Sequence, residues 1–91
     1  MTAPPSSDEH RLSRLRFRAW RRGFSELDLI MGGFVDAHGR GLSETDLIAF
    51  EALLHEQDQD VYGWIVGQEP VPTPYDTPLM ARLKTFSPTT A

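Results

Sequence analysis

The sequence contains no cysteine among its 91 residues. Disulfide bonds, thiolate catalysis and thiolate metal sites are therefore excluded. No stretch approaches the ~20 consecutive apolar residues that a bilayer-spanning helix needs. The first residues lack the apolar segment of a secretory signal, and Asp8 and Glu9 stand where a transit peptide would be poor in acids. We therefore predict no targeting segment.

Recognisable catalytic and metal-binding motifs are also missing. None of the three histidines, His10, His38 and His55, is paired at i, i+4 with a second histidine in the manner of a zinc helix. No serine lies in a nucleophile elbow, and the glycines lack the spacing of a phosphate-binding loop. We therefore predict no catalytic residue and no metal site, and we expect that the protein is not an enzyme.

The composition, 40% hydrophobic and 24% charged, is typical of one small globular domain. The charges are distributed unevenly along the chain. Residues 1–22 hold six arginines against two acids, a net charge of about +4. Residues 23–91 hold eleven acids against three basic residues, about −8. The sequence therefore predicts one cationic helix on an acidic body.

Apolar residues recur at helical spacing in five segments, and none alternates convincingly with period two. We predict an all-α fold, a compact bundle of about five short helices. A single helical domain should cover residues 8–86, with a disordered N-terminus at 1–7 and a frayed tail at 87–91.

Capping residues place the helix ends. The first helix should run to about Arg22 and stop at Gly23. Ser25 should cap the second helix with Asp28 as its capping-box partner, and that helix should end near His38. Ser43 and Asp58 should cap the starts of the third and fourth helices, and Thr77-Pro78 should start the fifth, since proline suits the first helical position. Gly67 should end the fourth helix, and Gly32-Gly33 suggests close packing of the second helix against a neighbour.

The junction between the first two helices carries the spacing Arg-Gly-x-x-Glu, formed by Arg22, Gly23 and Glu26. A purely local interpretation needs only a left-handed Gly23 and favourable helix-dipole contacts of the two charges. A binding interpretation goes further. A partner's backbone can approach Gly23, which has no side chain, while Arg22 and Glu26 project beside it as donor and acceptor. We predict a partner-binding epitope that also includes Asp28 and, more weakly, Arg21.

The setting of this motif resembles the small assembly factors of succinate dehydrogenase. The resemblance covers about residues 11–86. It rests on Trp20-Arg21-Arg22-Gly23-x-x-Glu26-Leu27-Asp28, then Phe34, then Leu42-Ser43-x-x-Asp46 with Phe50 and Leu53-Leu54, and finally Asp58-x-Asp60-Val61-Tyr62-x-Trp64-Ile65.

The resemblance implies a cytoplasmic, bacterial-type assembly factor that binds the flavoprotein subunit of succinate dehydrogenase and promotes covalent attachment of FAD. The related fumarate reductase subunit is a second candidate client. FAD is then handled by the partner, with no cofactor held stably by this chain, which we expect to be a monomer without membrane insertion.

Two alternatives stay open at this point. A basic helix with interleaved aromatic residues is typical of a nucleic-acid or anionic-surface binding module, which would use Arg14, Arg18, Arg21 and Arg22. The acidic remainder of the chain would repel polyanions, and we expect no nucleic-acid partner. The second alternative is a small enzyme.

Overall fold

The computed structural model describes residues 7–86, which form five helices, two short 3-10 turns and no strand. The predicted all-α bundle of about five helices is confirmed. The helices are α1 Ser7–Ala19, α2 Ser25–His38, α3 Glu44–Leu54, α4 Asp58–Val66 and α5 Pro78–Thr85, and the 3-10 turns are Gly39–Gly41 and Thr73–Tyr75.

All five helices contribute to one apolar core. Its side chains are aliphatic or aromatic, and the described residues bury no polar or charged residue with them. Phe34 and Phe50 stack at the centre, with ring centroids 6.3 Å apart. The other buried residues are Leu15, Ala19, Leu27, Met31, Val35, Leu47, Leu53, Leu54, Val61, Trp64, Ile65, Leu79, Met80 and Leu83.

The first helix ends three residues before its predicted limit, at Ala19 rather than Arg22. Trp20 and Arg21 continue as a turn, in which their backbone N–H groups donate to the carbonyls of Arg16 and Arg18. The chain then bends at Gly23, where φ is +86°. The predicted glycine stop is therefore present, but it closes a short connection rather than the helix itself.

Two of the predicted caps are wrong, the cap at Ser43 is confirmed, and Thr77 is an additional cap at the predicted start of the fifth helix. Ser25 and Asp58 are the first residues of α2 and α4 rather than their caps, and neither helix has a side-chain cap. By contrast, the hydroxyls of Ser43 and Thr77 accept backbone N–H groups at the starts of α3 and α5. Asp28, the predicted capping-box partner of Ser25, and Asp58 instead bind groups at the α1–α2 junction, as described below.

The second helix packs tightly against Trp20, as its glycine pair predicts. A Cβ atom on Gly32 would lie 2.3 Å from Cδ2 of the Trp20 indole. The indole Nε1 also donates to Asp36 Oδ2, at 3.2 Å. Gly32 therefore lets the end of α1 lie directly on the backbone of α2.

Apolar residues of three of the helical segments are exposed rather than buried. Phe17, Ile48 and Val66 have 58%, 55% and 43% of their surface accessible. Ile48 and Val66 directly follow the buried residues Leu47 and Ile65, and a step of one residue turns a side chain by about 100° away from the buried stripe. Phe17 is two residues from the buried Leu15 and Ala19, which places it on the opposite side of α1.

The predicted disordered N-terminus and frayed C-terminal tail concern mainly residues 1–6 and 87–91, which lie outside the described residues. Ser7, which the prediction placed in the disordered N-terminus, is the first residue of α1. None of the described helices is both long and apolar enough to cross a membrane.

Candidate functional site

Gly23 forms an open notch at the surface, between α1 and α2. The residue is exposed, and a Cβ atom built on it would meet no other atom within 4 Å. Its φ of +86° lies in the left-handed region, which L-residues with a side chain adopt only under strain. The backbone at Gly23, which we call the notch, is therefore accessible, and its conformation favours glycine over every residue with a side chain.

Arg22 does not project beside the notch, and this part of the sequence prediction is wrong. Its side chain is only 6% exposed and turns inward to the corner between α3 and α4. There Nε donates to Asp58 Oδ1 at 2.5 Å, Nη1 to the Leu53 carbonyl at 3.4 Å, and Nη2 to the Glu56 carbonyl. The guanidinium thus satisfies three acceptors at once, one carboxylate and two backbone carbonyls at and just beyond the C-terminal end of α3.

Asp28 holds the other side of the same junction. The Arg22 backbone N–H donates to Asp28 Oδ1 at 3.0 Å, and the Asp28 N–H donates to the Phe24 carbonyl at 2.8 Å. Asp28 lies in the first turn of α2, where a carboxylate is favoured by the helix dipole. Its oxygen therefore fixes the backbone immediately before the notch rather than facing a partner freely.

Glu26 remains exposed on the edge of the notch and lies close to Tyr62 of α4. Burial of the Tyr62 hydroxyl, and then the charge and hydrogen bond of Glu26, raise the pKa of Tyr62. The Tyr62 ring contacts Phe24 with centroids 4.8 Å apart. A carboxylate beside an aromatic pair and an open backbone can accept a donor from an approaching protein.

Arg21 is exposed next to the notch, and its guanidinium lies 4.0 Å above the ring of Phe17. Of the five predicted site residues, Arg21, Gly23 and Glu26 are thus accessible from outside, while Arg22 and Asp28 hold the junction from within. Sequence reasoning missed Asp58 as the partner of Arg22. The two residues are 36 positions apart, so no local spacing could have linked them.

The accessible part of the site offers an exposed backbone, the carboxylate of Glu26 and the guanidinium of Arg21. These groups can accept and donate hydrogen bonds. Within residues 7–86, no group of three or more histidine, aspartate and glutamate side chains converges as a metal would require.

The residues of the site belong to a segment that matches the sequence model of a known protein family. The sequence model of the family described as flavinator of succinate dehydrogenase, Sdh5, matches residues 13–87. The chain belongs to this family.

The chain is also similar to named proteins. The chain is 36% identical over 73 residues to the FAD assembly factor SdhE of Acetobacter pasteurianus, an alignment covering 80% of this chain and 67% of that protein. It is 32% identical over 85 residues to the mitochondrial succinate dehydrogenase assembly factor 2 of Candida glabrata, covering 89% of this chain and 56% of the relative. A third relative, the mitochondrial assembly factor 2-B of Drosophila persimilis, is 32% identical over 83 residues, covering 89% of this chain and 53% of its own length. The chain thus spans about two thirds of the bacterial relative and about half of the mitochondrial ones.

Proposed function

We propose that this chain is an assembly factor that binds the flavoprotein subunit of succinate dehydrogenase and promotes the covalent attachment of FAD to it. Membership of the flavinator family supports the client and the reaction. The observation that carries the proposal is the open notch at Gly23, which lies inside the matched residues 13–87. In this proposal the notch is the surface on which the subunit docks.

The five predicted contact residues divide into two groups. Gly23, Glu26 and Arg21 touch the subunit: the first admits its backbone, and the other two provide an acceptor and a donor. Arg22 and Asp28 act indirectly, because their hydrogen bonds hold the junction at which the first three are presented.

The factor supplies no reacting group in this mechanism and is not an enzyme. A histidine of the subunit itself bonds the flavin, and the factor binds preferentially the arrangement in which the two meet. A preference of about 1.4 kcal/mol for that arrangement raises a minor population about tenfold. FAD stays with the subunit, so no cofactor is held by the factor.

We extend the proposal to the fumarate reductase flavoprotein subunit as a second client, and to a monomeric factor acting in the bacterial cytoplasm. The similarity to a bacterial FAD assembly factor supports this location.

The test compares two glycines that have the same backbone conformation. Gly23 and Gly67 have φ of +86° and +83°, both are exposed, and a Cβ atom on either would meet nothing within 4 Å. Gly23→Arg and Gly67→Arg should therefore strain the fold equally, by about 1 kcal/mol each. Only Gly23→Arg obstructs the notch.

The measurement is covalent flavin fluorescence of the subunit after denaturing electrophoresis, in cells that lack the wild-type factor. We expect Gly67→Arg to support normal flavin attachment and Gly23→Arg to lose at least tenfold, with both variants helical by circular dichroism. Normal flavin attachment with Gly23→Arg would refute the docking surface. Equal flavin attachment with and without the wild-type factor would refute the function.

A further inference from the structure

The arginines of the first 22 residues are not equivalent in the folded chain. Three of them are paired with carboxylates: Arg16 Nε lies 2.7 Å from Asp36, Arg22 contacts Asp58, and Arg11 contacts both Glu44 and Glu51. The hydrogen bonds from Arg11 are the first cause of the lowered pKa of Glu51. The other three arginines, Arg14, Arg18 and Arg21, form no ion pair with any carboxylate in the part of the chain that the structure describes.

These three unpaired arginines share one face with an exposed aromatic ring. Positions 14, 17, 18 and 21 are spaced i, i+3, i+4, i+7, so they lie side by side along α1 and the turn that continues it. Phe17 is 58% exposed, and the Arg21 guanidinium covers its ring. We call these four residues, Arg14, Phe17, Arg18 and Arg21, the arginine ridge.

The ridge borders a groove that leads to the junction. The groove has a volume of about 280 Å³, and its lining consists of Phe17, Arg18, Arg21, Arg22, Leu54 and Asp58. Arg18 Nη2 donates to the Leu54 carbonyl at 3.4 Å, which orients that guanidinium along the groove. Arg21 is two residues from Gly23, so the ridge is continuous with the notch.

The composition of the ridge is that of a contact surface. Arginine and aromatic residues are the types most enriched among the residues that dominate protein–protein binding. A guanidinium presents a planar fork of donors that matches a carboxylate bidentately. The fold pairs Arg11, Arg16 and Arg22 with carboxylates and leaves this row without an ion pair among the described residues. Its partners inside the domain are neutral ones, the Leu54 carbonyl and the Phe17 ring, and Glu51 interacts with Arg14 and Arg18 only from beyond ion-pair distance. The row can therefore still pair with carboxylates of another protein.

We propose that the arginine ridge docks a carboxylate-rich segment of the flavoprotein subunit, as a second contact continuous with the notch. This inference rests on the proposed function, since it assigns a further surface to the same client. A polyanion such as a nucleic acid fits less well, because only three charges are available and residues 23–91 carry about −8.

The test is a charge reversal with a control of equal net charge. Arg14→Glu/Arg18→Glu reverses two ridge cations that are not part of the notch, and Arg40→Glu/Lys84→Glu reverses two exposed cations elsewhere. Each pair changes the formal charge from −4 to about −8. Any effect of overall repulsion is therefore the same in both proteins, and only the ridge differs.

Binding to the purified, non-flavinylated subunit is measured by surface plasmon resonance at 50 and 300 mM NaCl. We expect the ridge variant to bind at least tenfold more weakly than wild type at 50 mM and to lose most of the salt dependence. The control variant should remain within a few-fold of wild type and keep its salt dependence. Ridge and control variants of equal affinity would overturn the inference while leaving the proposed function intact.

A second measurement does not depend on the stability of the charge variants. Phe17 is replaced by the photo-crosslinking residue p-benzoylphenylalanine, and the crosslinked subunit peptides are identified by mass spectrometry. We expect a single peptide region with at least three aspartate or glutamate residues. Crosslinks to neutral or basic peptides, or none while Gly23-dependent binding persists, would overturn the proposed docking at the ridge.

A nucleic-acid contact is tested separately. Retention of a 20-nucleotide single-stranded DNA by the wild type at 150 mM NaCl, lost in the ridge variant, would also overturn the inference. Failure of the wild type to bind the subunit at all would overturn the proposed function and the inference with it.

Discussion

Arg22 connects two corners of the chain that are distant in sequence. It belongs to the connection between α1 and α2, yet its guanidinium donates to Asp58 and to two carbonyls at the connection between α3 and α4. A cation that is 6% exposed has lost most of its contact with water, so these acceptors replace its hydration. The arginine of the motif is therefore a structural residue, and the glycine beside it is the accessible one.

Removal of this guanidinium should destabilise the domain. We expect Arg22→Ala to lower the free energy of unfolding by about 2–3 kcal/mol, less than for a fully buried pair because the Asp58 side chain is 29% exposed. Urea denaturation followed by tryptophan fluorescence measures this change.

A double-mutant cycle separates the ion pair from the carbonyl contacts. Asp58→Ala alone and together with Arg22→Ala should give a coupling energy of about 1–2 kcal/mol. A change below about 0.5 kcal/mol for Arg22→Ala, the range of ordinary surface substitutions, would contradict the inward placement of the side chain.

The sequence was informative about Gly23 and misleading about Arg22 for a physical reason. A glycine between two amphipathic segments indicates a backbone conformation, and backbone conformation is local. The direction of an arginine side chain depends on acceptors elsewhere in the fold. Those acceptors come from α3 and α4, and no pattern around residue 22 specifies them.

At the scale of the helices, contact between α1 and α2 depends on the missing side chain at Gly32. Alanine normally favours a helix interior over glycine by about 1 kcal/mol. Here its Cβ would lie 2.3 Å from the Trp20 ring, so the indole must move and lose both its packing and its hydrogen bond to Asp36. We expect Gly32→Ala to destabilise the protein by a net ~1–2 kcal/mol despite the gain in helix propensity.

Urea denaturation followed by tryptophan fluorescence reports on this substitution, with Trp64→Phe as the background so that Trp20 is the fluorophore. Gly41→Ala is the control, since a Cβ there meets nothing within 4 Å and the backbone is not left-handed. The control should change stability by less than about 0.5 kcal/mol. A stabilised Gly32→Ala protein would show that propensity outweighs the contact with Trp20.

Helix existence was predictable from the sequence, and helix ends were less so. The apolar spacing of all five segments reports burial on one face, which is what the core requires. The cap at Ser43 was predictable because its hydroxyl accepts the backbone N–H of Asp46, three residues on, which is a local contact. Asp58 has the same sequence appearance, but its carboxylate is taken by Arg22, a contact from outside its own helix.

At the scale of the whole molecule, two tyrosines make the free energy of unfolding depend on pH in the alkaline range. Tyr75 donates to Glu56 Oε2 at 2.6 Å, and this hydrogen bond, followed by burial, raises the pKa of Tyr75. The pKa of Tyr62 is raised first by burial and then by Glu26. The folded protein thus retains these protons more tightly than the unfolded chain, whose tyrosines titrate near pH ~10.

The free energy of unfolding should therefore be constant below about pH 10 as far as these groups are concerned, and should fall as the pH rises through their higher folded-state values. Urea midpoints between pH 8 and pH 11 test this. Tyr75→Phe should have a shallower alkaline decline than wild type, because it removes one of the linked protons. An unchanged decline in Tyr75→Phe would exclude the hydrogen bond to Glu56 as a source of it.

The linkage of the two corners through Arg22 also bears on how a client is handled. Because Arg22 joins the α1–α2 connection to the α3–α4 connection, neither connection can change its conformation independently when a partner binds. The small protein then behaves as a rigid template, and in the proposed complex the accommodation falls to the larger subunit. A template that does not yield favours the one arrangement of the subunit that fits it, which is how a factor without reactive groups can still promote a reaction.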